Sequence, residues 1–130
     1  MPNFCKIVKK AHDMLLAKDI DGKNRHIPFI VQRNKILSAG TNSYLKTDAF
    51  AAKQNYKYNF IHSELAAIKS YCAIYGPRTL SKCTLINIRV GRRSFEILNS
   101  RPCPACTRLI ETVALKEVWY STQNGFKRLL

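Results

Sequence analysis

Two short segments hold the residues able to do chemistry: His62-Ser63-Glu64 and Pro102-Cys103-Pro104-Ala105-Cys106. Cys103 and Cys106 have two residues between them, so on a helix their sulfurs share one face, and a place at a helix amino terminus favours their thiolate forms. One imidazole and two thiolates make three protein ligands for Zn2+ and leave the fourth tetrahedral position to water, the stoichiometry of a catalytic site. Glu64, two residues beyond the His, reaches that water without ligating the metal, as a proton carrier must. Each half alone has a plainer reading. Cys-x-x-Cys also serves as half of a structural zinc site or as a redox pair, and a lone His is more often a satisfied core residue than a ligand. A structural zinc would take its fourth ligand from His12, His26, Cys5, Cys72 or Cys83.

The elements that must position these segments follow from periodicity. Phe4, Ile7, Val8, Ala11, Met14 and Leu15 recur at helical spacing opposite Lys6, Lys9, Lys10 and Asp13, predicting an amphipathic helix that ends before Asp21-Gly22. Residues 27–32 and 36–42 are short apolar runs separated by Arg33-Asn34-Lys35, which predicts a hairpin, and Pro28 marks its first strand as an edge. Residues 43–60 have no clean period and read as a long loop. Leu65, Ala66, Ile68, Tyr71 and Cys72 then predict a helix opened by His62-Ser63-Glu64 and stopped by Gly76-Pro77. A buried strand follows over 83–90, and Cys106, Leu109, Ile110 and Val113 mark a third helix opened by the Pro-Cys segment. Residues 117–122 and 126–130 read as two strands folded back through Gln123-Asn124-Gly125. That order implies one mixed sheet covered by helices.

A length of 130 residues with 46% hydrophobic residues predicts a single folded domain over 1–130 and excludes a disordered or collagenous chain. Charge is the outlier: 22 Lys and Arg against 8 Asp and Glu leave +14, a field that attracts polyanions, nucleic acid first among them. The plain alternative is a Lys-rich solvated surface with no such partner. The first residues contain no apolar signal-type stretch, and no uncharged apolar run approaches the ~20 residues that span a bilayer, so the expectation is an intracellular, cytoplasmic protein with no membrane partner. Five cysteines, an odd number, favour metal ligation or buried thiols over a disulfide framework.

Taken together, the two segments read H-x-E…P-C-x-x-C, and on that signature and the element order the chain resembles the cytidine deaminase-like superfamily of zinc-dependent deaminases. The resemblance implies an α/β fold, three-layer α/β/α with one mixed five-stranded sheet. It implies His62, Cys103 and Cys106 as zinc ligands and Glu64 as the general acid/base that carries protons while water replaces the amino group at C4 of cytosine, leaving uracil. It also implies that the backbone N–H of Ser63 holds the base carbonyl, that the backbone carbonyl of Ser100 accepts from the amino group, and that Asn42 holds sugar and base, the last competing with a simple turn Asn. A His in the ligand set is similar to deaminases of nucleotides and nucleic acids, whereas free-cytidine deaminases have Cys there. The terminal hairpin is similar instead to the free-cytidine group and to certain bacterial toxin deaminases, while the deoxycytidylate, tRNA adenosine and AID/APOBEC families insert a helix.

For substrate, the segment before His62 interleaves rings and cations: Tyr44, Lys46, Phe50, Lys53, Tyr56, Lys57, Tyr58 and Phe60. Rings that stack bases beside cations that hold phosphates suit single-stranded DNA or RNA, and Arg92, Arg93 and Arg101 extend that footprint. The competing reading packs those rings onto the core. Cytosine in a single-stranded polynucleotide is therefore the first expectation, a free cytosine nucleoside or nucleotide the second, and an inactive deaminase-fold module that binds nucleic acid the third. Intact Glu64 argues against the third.

Overall fold

The computed structural model describes residues 2–17, 26–40, 63–91, 96–102 and 104–130. In chain order they form α1 (Phe4–Ala17), β1 (His26–Gln32), β2 (Lys35–Ala39), α2 (Ser63–Tyr75), a 3-10 helix (Pro77–Lys82), β3 (Thr84–Val90), β4 (Ile97–Leu98), α3 (Pro104–Thr112), β5 (Glu117–Thr122) and β6 (Gly125–Arg128). The strands make one sheet in the order β2-β1-β3-β5-β6, with β4 paired to β3. Only β3 and β5 run parallel; the other pairs are antiparallel.

Strand alternation divides the core into two layers. Ile27, Phe29 and Val31 of β1 and Ile86, Ile88 and Val90 of β3 face Ile7 and Ala11 of α1. Ile30 and Leu85 point the other way, onto Ala67, Ile68 and Tyr71 of α2 and Ile110 of α3. The mixed sheet thus lies between α1 and the pair α2 and α3, the expected three-layer α/β/α arrangement. Phe4 stacks on Phe126 at a centroid distance of 4.2 Å and meets Trp119 edge-on at 5.4 Å, so the start of α1 covers the terminal hairpin. Phe29 is fully buried in the α1 layer. Phe29→Ala is expected to cost about 3–5 kcal/mol, through lost transfer energy plus a cavity, read by chemical denaturation; a loss below about 1 kcal/mol would mean that this layer is not packed as described.

Turn chemistry accounts for the hairpins. Arg33 and Asn34 both adopt positive φ, 52° and 62°, the conformation that a two-residue turn needs to follow the strand twist. The turn is tied down by Lys6, whose Nζ donates to Asn34 O at 2.8 Å. At the other hairpin Gly125 takes φ 122°, and Thr122 Oγ1 donates to its carbonyl at 2.9 Å.

Two expectations fail here. The strand carrying Pro28 is not an edge, because β1 lies between β2 and β3. In an antiparallel ladder a residue's N–H and C=O face the same neighbour, and Pro28 O accepts from Gly40 N at 3.1 Å, one residue past the end of β2. The missing N–H therefore falls where that ladder has ended. Among the described residues the sheet also has six strands rather than five: after Val90 the chain returns through β4, pairing Arg89 with Leu98. A two-residue strand is too short to show a period. The second strand ends at Ala39, and the expected loop over 43–60 lies outside the described residues.

Candidate active site

Ser63 and Glu64 open α2 and Pro104 opens α3, and the two helices pack on the same side of the sheet. Glu64 lies in the first turn of α2 and is 5% exposed; Cys106 lies in the first turn of α3 and is fully buried. The two meet: Cys106 Sγ donates to Glu64 Oε2 at 3.4 Å. The other carboxylate oxygen, Oε1, accepts from Asn87 Nδ2 at 2.9 Å.

Asn87 comes from the middle of β3, and its Nδ2 also donates to Ser100 O at 2.7 Å. The return through β4 makes this contact, since continuing the register of Arg89 with Leu98 by two residues sets Asn87 opposite Ser100. Ser100 Oγ donates to Asn87 O at 2.6 Å and accepts from Ser121 N at 2.8 Å, while Ser121 Oγ donates to Leu98 O at 2.7 Å. Glu64, Asn87, Ser100 and Ser121 are four of the five buried polar residues among those described. Among the described residues, buried polarity is therefore concentrated at this place. Asn87 was not among the residues singled out from sequence, and its signal was present: one amide in the otherwise apolar run Leu85-Ile86-Asn87-Ile88.

Of the other expected site residues, Ser63 begins α2 and Ser100 is buried beside Asn87. Arg101 is exposed, with its guanidinium 6.0 Å from the Tyr120 ring centre. His62, Cys103, Asn42, Tyr56, Lys57 and Tyr58 lie outside the described residues. So do Arg92 and Arg93.

Among the described residues no three of His, Cys, Asp and Glu cluster as a metal group. The cysteines that a four-ligand structural site could draw on are dispersed. Cys72 is eight residues beyond Glu64 on α2, about 12 Å along the helix at ~1.5 Å per residue, and burial pushes its thiol up, away from the thiolate form. Cys83 Sγ donates to Thr79 O beyond the far end of α2, and Cys5 belongs to α1 across the sheet. Cys106 by contrast is a buried thiol, not a disulfide, that touches a carboxylate at the meeting of two helix amino termini. A buried thiol against a carboxylate is chemistry that suits a divalent ion; of the three expected ligands Cys106 is described, and His62 and Cys103 lie outside the described residues.

In fold the chain is similar to guanine deaminase from Bacillus subtilis, with a TM-score of 0.58 and 23% identity over 92% of this chain. The chain spans 64% of the length of that structure. The family model for the cytidine and deoxycytidylate deaminase zinc-binding region matches residues 5–122, and the chain belongs to that family. No curated protein matches. Among the described residues no helix is long and apolar enough to cross a membrane.

Proposed function

We propose that this protein is a zinc-dependent hydrolytic deaminase that converts cytosine to uracil in single-stranded polynucleotide. The contact of Glu64 with Cys106, at 3.4 Å, carries the reading, since it sets a proton carrier against one of the residues that would hold the metal. Held by His62, Cys103 and Cys106, zinc supplies Lewis acidity that makes water a nucleophile near neutral pH. Glu64 takes a proton from the attacking water and passes it to N3 of cytosine, then moves a second proton to the amino nitrogen, which leaves as ammonia. Ser100 O accepts from the departing amino group, and Ser63 N–H, which has no partner within the helix at the start of α2, holds the base carbonyl.

The +14 charge supports a polyanionic substrate. So does a depression at the start of α3, lined by Arg101, Pro102, Pro104, Thr107 and Arg108, whose two guanidinium groups suit a phosphate backbone. A free cytosine nucleoside or nucleotide is the second reading, favoured by the substrates that the family is named for. The two differ in their response to salt. For a polynucleotide, the logarithm of affinity should fall with that of salt concentration at a slope of about −0.7 per phosphate neutralised, and substitution of Tyr56, Lys57 or Tyr58 should weaken binding and deamination together. Oligonucleotide binding that is insensitive to salt and to these substitutions would favour the free nucleotide.

A further inference from the structure

We infer that Asn87 is the positioning residue of the reaction, its one side-chain amide fixing the carboxylate that moves protons relative to the carbonyl that receives the amino group. The inference rests on the hydrolytic-deaminase reading above. The geometry is specific: Nδ2 has two hydrogens, and it lies 2.9 Å from Glu64 Oε1 and 2.7 Å from Ser100 O. Both neighbours are acceptors, so the orientation of the amide is not in question. With Oε1 anchored in this way, Oε2 is the oxygen turned to Cys106 and left to exchange protons.

Asn87 is fixed in its turn. Its own carbonyl accepts from Ser100 Oγ, and Ser100 Oγ accepts from Ser121 N, which joins β3, the segment after β4 and β5 behind the amide. The arrangement has a cost to folding, because Asn87 Oδ1 is buried with no hydrogen-bond partner among the described residues. Leu85, on the same face two residues earlier, shows what fills this layer where packing alone matters. A polar residue with an orphaned acceptor in the middle of a central strand is explained by what its nitrogen holds.

The test compares wild type, Asn87→Leu and Asn87→Asp in steady-state cytosine deamination, with zinc content and thermal midpoint measured on each. Asp keeps the volume of Asn, but facing the Glu64 carboxylate and Ser100 O it carries at most one proton and can donate to only one of them, so the bridge between the two is broken while the site stays polar. The inference predicts that both variants still fold and keep zinc, with a midpoint lowered because Glu64 Oε1 and Ser100 O lose a donor, while at a temperature where each is fully folded kcat falls on the order of 10²-fold and KM moves less than about 3-fold. Unchanged kcat in either folded, zinc-loaded variant overturns the inference and leaves the deaminase reading standing. So does a loss of activity that only tracks loss of zinc or of fold. A wild-type protein that deaminates no cytosine substrate overturns both.

Discussion

Replacing Glu64 by Gln or Ala is expected to leave zinc and fold in place and to reduce turnover by on the order of 10³-fold, within the range for a positioned acid or base. The two variants differ in what they leave behind. Gln keeps an oxygen to accept from Asn87 Nδ2, so the buried amide stays paired and the fold is undisturbed. Ala leaves one of those N–H groups unpaired, at about 1–3 kcal/mol, which lowers stability without touching any metal ligand. If Gln abolishes turnover as thoroughly as Ala, the loss lies in proton transfer and not in packing. Activity near wild type in the Gln variant would remove Glu64 from its role.

Replacing Cys106 or Cys103 by Ala should have the complementary effect, taking zinc from about one per chain to near none and activity with it, because a three-ligand site does not survive the loss of one thiolate. Elemental analysis of the purified variants reads this directly. Cys83→Ala is the control: its sulfur bonds to Thr79 O beyond α2, so zinc content should be unchanged. Full metal occupancy in Cys106→Ala would show that the ligand set is wrong. The Glu64 and Cys106 variants thus separate the proton carrier from the metal holder, although the two side chains touch.

The sequence carried the helices well because α1, α2 and α3 each bury one apolar stripe, and it placed Glu64 and Cys106 in the first turns of their helices. It carried the terminal hairpin through Gln123-Asn124-Gly125. What it did not carry depended on partners distant in the chain. Pro28 suggested an edge strand by a local rule, but its cost vanishes because β2 stops one residue short of it, which no local pattern records. The strand Ile97–Leu98 has no period of its own and exists only as a pairing with β3. Asn87 was visible as a polar residue in an apolar run, yet its role needs Glu64, 23 residues earlier, and Ser100, 13 later. Of the aromatic and basic residues on which the substrate reading was built, Tyr56, Lys57 and Tyr58 lie outside the described residues, and Arg101 is the one whose surroundings are defined.

The most direct test of the reading is to follow ammonia release and base conversion with one preparation of the zinc-loaded protein, offered single-stranded DNA, RNA, cytidine, deoxycytidylate and guanine at low salt. Uracil should form in an oligonucleotide faster than in either cytosine monomer, the advantage should shrink as salt is raised, and guanine should be left intact. Efficient turnover of a monomer, with every oligonucleotide unchanged at low salt, would contradict the polynucleotide substrate and reduce the +14 charge to a property of the surface.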